Sequence, residues 1–367
     1  MRALVIGGTG PTGHYIVSGL IERGYSVEIL HRGTHEVAET PPEVTHHHMD
    51  PYDPAALDTF FADRRYELCI ATYGRLRAIA SASTGRIGRM VSAGGVPAYR
   101  GYMNPALFAP SGLPVPTAED GPRVAAPVED EKGWRIVQTE EALFAAQPEA
   151  THIRYPYVYG KYQPMPREWP ILRRVLDGRR FIILPDGGLT LHHMGYAANV
   201  AQGILLAVDR PEIARGRIYN CADDEVLSLR QVTELIAAAA GRSIEIVSMP
   251  WELAPCTRPL VMQPLPTHRV LDTTRIRVEL GYRDVVPARE ALALTVRGLI
   301  ESPPLRGGIE EMVLEDPFDY AAEDRLRSAW EHALATMPAV RFEREPGYSM
   351  SYSGPGGRAR SAVEFSR

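Results

Sequence analysis

Ala3-Leu4-Val5-Ile6, running directly into Gly7-Gly8-Thr9-Gly10-Pro11-Thr12-Gly13, decides the fold. Four consecutive apolar residues read as a strand covered on both faces, as in a parallel sheet. Gly7, Gly10 and Gly13, spaced G-x-x-G-x-x-G, let the backbone turn tightly and approach a pyrophosphate held at a helix N-terminus. Ile16, Val17, Leu20 and Ile21 then recur at helical spacing. Gly24 stands where a left-handed C-terminal cap is expected, and Ser26 to Leu30 reads as the next strand. A glycine spacing alone is weak, but strand, loop, helix and strand in that order point to a dinucleotide site. Gly7, Thr9, Gly10, Pro11, Thr12 and Gly13 are assigned to it.

Outward from this unit the pattern repeats. Apolar segments at Leu68-Cys69-Ile70-Ala71, Met90-Val91 and His152-Ile153 alternate with helical or loop stretches. The expected fold is therefore α/β: a Rossmann-type, doubly wound parallel sheet over residues 1–160, with some later segments returning to it. Beyond 160, Pro- and Arg-rich stretches interrupt the alternation. Helices over Ala197 to Val208 and Leu229 to Ala240, with strands at Gly216 to Asn220 and Ser243 to Val247, predict a smaller α/β substrate lobe over 161–300. A helical extension is expected over 301–342, its helix running through Leu334, and a mobile tail over 343–367.

The cofactor is read at the end of the second strand, where an acid meets the ribose hydroxyl of NAD and an Arg the extra phosphate of NADP. The chain there is Leu30-His31-Arg32-Gly33, with Glu28 inside the strand and Glu36 well past it. Arg32 thus favours NADP, with NAD as the alternative. Asp50, after the third strand, is placed to meet the adenine. Ala71 and Thr72, after the fourth strand, and Tyr155, after the sixth, complete the assigned cofactor residues.

Composition narrows the partners. At 367 residues, 45% hydrophobic and 23% charged, the chain is an ordinary soluble globular one. A net charge of −5 gives no cationic field for nucleic acid or an anionic membrane, so a small-molecule substrate is expected, and a homodimer is allowed. Cys69, Cys221 and Cys256 are too few and too far apart for a disulfide framework or a thiolate metal site. The first apolar run is too short for a signal peptide and none reaches membrane-spanning length, which points to the cytoplasm. In His46-His47-His48 successive side chains alternate faces, so at most His46 and His48 share one side. With no acidic or thiol partner spaced to close a site, no metal is expected.

Later segments carry a further likeness. Arg154-Tyr155-Pro156-Tyr157-Val158-Tyr159-Gly160, Gly216 to Asn220, and Asp272-Thr273-Thr274-Arg275 with Leu280-Gly281-Tyr282 follow the glycine loop in order. Together they resemble the extended short-chain dehydrogenase/reductase superfamily, especially its NAD-dependent epimerase/dehydratase branch, over about residues 1 to 300. That resemblance implies hydride transfer to nicotinamide, with a helical Tyr-x-x-x-Lys couple moving the proton and a Ser or Thr after the fifth strand assisting. Aligning Thr139-Glu140-Glu141-Ala142-Leu143 on the family's helix places Lys132 at the Tyr position and Ile136 at the Lys position. The hydroxyl position falls on Gly94, leaving Ser92 as the nearest donor. The catalytic candidates are therefore Lys132, Tyr99, Tyr102 and Ser92.

The chain's one literal Tyr-x-x-x-Lys match, Tyr157 to Lys161, follows the sixth strand, where the family carries a structural or substrate-lining Tyr-Gly. Tyr157, Lys161 and His193 are read as substrate-binding, and Tyr196 replaces the acid of the family's His-Val-x-Asp segment. The expected function is an atypical NAD(P)-dependent oxidoreductase or epimerase-like enzyme acting on a sugar nucleotide or other small polar carbonyl or alcohol. The alternative is a non-catalytic NAD(P)-binding regulator or an RNA-binding member of the same superfamily, and the acidic balance speaks against RNA.

Overall fold

Every residue from Ala3 to Ile6 is fully buried, so the opening run forms the central strand of a sheet covered on both faces. The structure, a computed structural model, describes residues 1–344 and 346 apart from 35, 73, 74 and 262. The strands are β1 (Arg2–Ile6), β2 (Ser26–His31), β3 (Thr45–His48), β4 (Tyr66–Ala71), β5 (Ile87–Gly95), β6 (Thr151–Tyr155), β7 (Tyr157–Tyr159), β8 (Phe181–Pro185), β9 (Met194–Tyr196), β10 (Ile218–Asn220) and β11 (Glu245–Met249). Seven of them build one parallel sheet in the order β10-β6-β5-β4-β1-β2-β3. This is the doubly wound order, with the strand sequence reversing beside β1.

The helices used below are α1 (Gly13–Glu22), α2 (Pro54–Phe61), α3 (Leu76–Ala82), α4 (Glu131–Ala146), α5 (Trp169–Leu176) and α6 (Ala197–Asp209). Helix α1 ends as its sequence predicts: Gly24 takes φ of +79°, its N–H donates to the Ile21 carbonyl and that of Tyr25 to Leu20. Its buried face carries Ile16, Val17 and Leu20 against β1, β2 and α6 in one continuous apolar core. At Gly19 an added Cβ would stand 2.3 Å from the end of the Leu205 side chain of α6, so a larger residue there would make that leucine shift.

A second core forms where β8 and β11 pair in parallel and α5 packs with the helices Leu229–Ala239 and Ala288–Glu301. Strand β8 is absent from the sequence reading, which found β11 but no partner for it. The compact unit that contains both cores runs from Met1 to Phe318, and a second unit covers Asp319–Arg367. In the second unit Asp319 caps the helix Tyr320–Thr336 by accepting the Ala322 N–H. The expected tail, 343–367, lies outside the described residues except for 343, 344 and 346. Cys69 and Cys221 are free thiols, both buried. No helix among the described residues is long and apolar enough to cross a membrane.

Candidate functional site

The glycine loop connects β1 to α1 with its glycines in three different situations. Gly7 has φ of +90°, a conformation costly for any residue with a side chain. At Gly13 an added Cβ would fall 2.0 Å from the Gly8 carbonyl oxygen, so this glycine lets the helix seat on its own loop. At Gly10 the nearest atom to an added Cβ is 3.8 Å away, and the space in front of the loop is open. The Thr12 side chain makes no capping hydrogen bond to α1, whose first N–H, that of Gly13, donates to the Gly10 carbonyl at 2.9 Å. An open cradle before an uncapped helix N-terminus fits a dinucleotide pyrophosphate.

Neighbouring residues brace the loop. The Thr72 hydroxyl donates to the carbonyls of Ile6 and Gly7 at 3.2 and 3.3 Å, and Ala71 is fully buried beneath it. Arg32 is exposed at the end of β2, and with Arg75 it flanks the Tyr52 ring, the guanidinium carbons 6.0 and 4.9 Å from the centroid. Arg75, at the start of α3, was not among the sequence candidates. Asp50 is exposed, and one of its oxygens accepts the Tyr52 N–H. Tyr155 belongs to the apolar core, where its hydroxyl donates to the Val200 carbonyl at 3.2 Å.

The four catalytic candidates lie in very different surroundings. Lys132 is exposed on the first turn of α4, away from any buried site. Ser92 is fully buried, its Oγ 2.8 Å from His152 Nδ1 and donating to the Thr151 carbonyl. A side chain at Gly94, the family's hydroxyl position, would meet His152 Nε2 at 2.5 Å. The Tyr99 hydroxyl donates to Asn220 Oδ1 at 2.6 Å under the Arg154 guanidinium. Burial raises its pKa. The Tyr102 hydroxyl is 3.3 Å from His192 Nε2, and the Arg269 guanidinium carbon lies 4.5 Å from its ring centroid.

The structure separates the literal Tyr157 to Lys161 match. The Tyr157 hydroxyl donates within a buried set formed by Glu168 Oε2 and the Met165 carbonyl, each at 3.1 Å, while Lys161 is exposed and paired with Glu39 at 2.5 Å. His193 is a buried brace, its Nε2 2.6 Å from the Asp223 carbonyl and its Nδ1 accepting the Leu271 N–H. Tyr196 likewise serves the framework, since its N–H, the Asn199 amide and the Tyr159 hydroxyl all donate to Asp223. Burial outweighs those donors and pushes the Asp223 carboxyl up to about 6.

Beside Tyr157 opens a pocket of about 600 Å³ of empty space, its open mouth included, walled by Arg167, Glu168, His192, Thr190, Leu227 and Gln263 among others. Burial pushes Glu168 up to about 7. It also holds His192 well below the usual imidazole range, helped by the Arg269 and Arg167 charges, so His192 is neutral. Three buried guanidinium nitrogens in this region have no hydrogen-bond partner: Arg167 Nε and the Nε and Nη2 of Arg269. Arg269 is held here by a bridge between its backbone and His192, 77 residues earlier in the chain. Sequence reasoning missed Arg167, Glu168, His192 and Arg269. The adjacent pair His192-His193 was the available signal, and only its second member was taken up.

A correction concerns the histidine run. His46 and His48 do share one side, and His47 turns away to Glu28 Oε2 at 2.7 Å. The expectation that no acid could join them is overturned, because Glu36 folds back from the β2–β3 connection and His31, in register with His48 on the adjacent strand, stands beside them.

These observations agree with comparisons to known proteins. Residues 3–85 match the NAD dependent epimerase/dehydratase family. UDP-glucose 4-epimerase of Thermotoga maritima, solved with UDP-glucose, superposes with a TM-score of 0.66 at 19% identity, covering 82% of this chain and 99% of that one. The Thermus thermophilus UDP-glucose 4-epimerase, solved with NAD, gives 0.62 at 22% identity over 82% and 100% of the two chains. An uncharacterized protein of Escherichia coli K12, YbjS, is 26% identical over 149 residues, 35% of this chain and 44% of its own length. The chain thus spans less than half of that curated relative. Residues 3–85 thus match the NAD dependent epimerase/dehydratase family model, and the chain shares its fold with these two UDP-glucose 4-epimerases.

Proposed function

We propose that this protein is an NAD(P)-dependent oxidoreductase or epimerase acting on an anionic, nucleotide-linked sugar, with Tyr102 as its proton carrier. The observation that carries this reading is the set of orphaned guanidinium nitrogens of Arg167 and Arg269 beside the pocket. A buried charged donor without a partner is costly, and a phosphate-bearing ligand supplies the missing acceptors. The glycine loop and the first turn of α1 would hold the cofactor, which when bound accepts or returns a hydride. Tyr102 exchanges its proton with neutral His192 across 3.3 Å. Burial raises the Tyr102 pKa, while the nearby Arg269 and Arg167 charges act in the opposite sense, the part a lysine plays in the family's couple. Thermotoga and Thermus epimerases of this fold support the sugar-nucleotide class.

The test is turnover of UDP- and dTDP-linked sugars with NAD or NADP, followed at the nicotinamide absorbance and by product analysis. Tyr102→Phe should lower kcat about a hundredfold or more with KM little changed, as expected on loss of a positioned acid or base. Arg269→Leu should instead raise KM about ten- to a hundredfold, the cost of a charged hydrogen bond. Undiminished turnover in Tyr102→Phe sinks the assignment of that residue. The exposure of Lys132 and the apolar Ile136 at the couple's positions favour a second reading, a dinucleotide-binding protein without redox turnover. Tight cofactor binding with no turnover of any such sugar would select it.

NADP preference belongs to the same reading, supported by Arg32 and Arg75 around Tyr52 and by the lack of an ion-pair partner for Arg32 among the described residues. Arg32→Asp is expected to reverse the order of affinities, weakening NADP about ten- to a hundredfold. Calorimetry that finds NAD the tighter ligand of the unaltered protein overturns it.

A further inference from the structure

His31 at the end of β2, His46 and His48 on β3, and Glu36 in the connection between those strands bring one ligand atom each to within 4.8 Å of all the others. The separations are 3.0 Å for His31 Nε2 to His46 Nδ1, 3.6 Å for His31 Nε2 to Glu36 Oε1, and 3.3 Å for Glu36 to each of His46 and His48. Zinc bonds of about 2.0–2.2 Å in a tetrahedron place ligand atoms roughly 3.3–3.6 Å apart along its edges. These four contacts lie near that edge, with Glu36 meeting His46 through Oε2 and His31 and His48 through Oε1, and the remaining pairs, within 4.8 Å, would draw together on an ion. Neither the glycine loop nor the pocket uses these four side chains.

We propose that His31, Glu36, His46 and His48 form a binding site for a divalent transition-metal ion of zinc type. The donor set, three imidazoles and one carboxylate without a thiolate, suits zinc in tetrahedral geometry. Four protein ligands fill the coordination sphere and leave no position for water or substrate, so the ion is structural. What it holds is the connection 32–44, whose described residues form neither helix nor strand. Its two ends carry the ligands, and its middle reaches Lys161 and Tyr162 through Glu39. A long connection with no secondary structure needs such an anchor to keep one conformation. His31 is nearly fully buried. Its Nδ1 accepts the Gly33 N–H at 3.3 Å. Metal binding at Nε2 moves the ring proton to Nδ1 and gives up that long hydrogen bond.

The full-length protein without a histidine tag, stripped with a chelator and dialysed, is titrated with zinc by calorimetry and with cobalt by visible absorption. One equivalent per chain is expected, with the strong d–d bands of a tetrahedral cobalt centre. His48→Gln and Glu36→Gln alter half-exposed side chains and should leave the circular dichroism melt of the metal-free protein unchanged. Loss of a partner hydrogen-bonded to a ligand costs 10–100-fold in affinity, so loss of a ligand itself should cost about a hundredfold or more. His47→Gln, on the opposite face, should bind as the unaltered protein does. Absence of a stoichiometric tetrahedral cobalt spectrum overturns the proposal and leaves a hydrogen-bonded histidine cluster. So does zinc affinity that survives His48→Gln and Glu36→Gln, or that falls equally in His47→Gln. None of these readouts depends on turnover, so the result stands apart from the proposed enzymatic activity.

Discussion

Replacing Glu140 with Ala is expected to destabilise the protein by about 3–5 kcal/mol, the cost of leaving a buried charge without its counter-ion. The charge left behind is Arg154, fully buried on β6, whose Nε and Nη2 each donate to one Glu140 oxygen at 2.7 Å. Its third nitrogen donates to the Glu119 carbonyl at 3.0 Å, so the guanidinium has no route to solvent. The measurement is the urea midpoint of the folded protein against the variant. Substituting both residues, as in Glu140→Leu with Arg154→Met, should recover much of the loss, because the unpaired charge goes with its partner. If Glu140→Ala melts like the unaltered chain, the pair does not hold α4 to β6. Acid tests the same contact. Burial alone would raise the Glu140 carboxyl, but Arg154, with His152 nearby, outweighs it and holds the group at about 2 against an ordinary 4.5. The folded pKa is depressed, so this contribution is present above about pH 4.5 and is lost as pH falls through about 2.

Gly10→Val is expected to abolish dinucleotide binding, by at least a hundredfold, while the melting curve stays close to that of the unaltered protein. A Cβ added at Gly10 meets only the Gly7 carbonyl oxygen, at an ordinary contact of 3.8 Å, but a branched side chain there would enter the volume a pyrophosphate would occupy. Gly13→Val should behave differently. Its Cβ would overlap the Gly8 carbonyl at 2.0 Å, so the loop or the helix must move and stability falls together with binding. Fluorescence titration with NADH and NADPH and a thermal melt of both variants separate the two effects. Retained affinity in a folded Gly10→Val would remove the glycine loop from the cofactor site.

The glycine loop and the doubly wound sheet were legible because their signals are local. Apolar runs, glycine spacing and a cap residue are all written within the thirty residues that fold into β1, α1 and β2. The buried Arg154–Glu140 pair lay inside two quoted motifs, yet nothing in either segment states that they meet. The pocket was less legible still. Arg167 and Arg269 are separated by a hundred residues and come together through the backbone bridge beside His192. The histidine cluster failed for a related reason: alternation along β3 correctly paired His46 with His48, but the other two ligands depend on strand register and on a returning loop. Period-two reasoning sees one strand at a time. Strand β8 escaped although Phe181-Ile182-Ile183-Leu184 is apolar throughout, since a short apolar run carries no periodicity to distinguish strand from helix.

Strand β10 has a consequence for how the chain is made. It closes the β6 side of the large sheet with residues 218–220, more than sixty positions after β6 itself. As the polypeptide emerges from a ribosome, the first six strands are available well before their seventh. During that interval the His152, Ile153 and Arg154 backbone groups that later pair with β10 stand open along a strand buried in the finished protein. An unpaired apolar edge of this kind invites pairing with another nascent chain. The interval is therefore when a holding chaperone has most to protect. A fragment ending near residue 160 would remain in that vulnerable condition indefinitely, however complete its nucleotide-binding motif looks on paper.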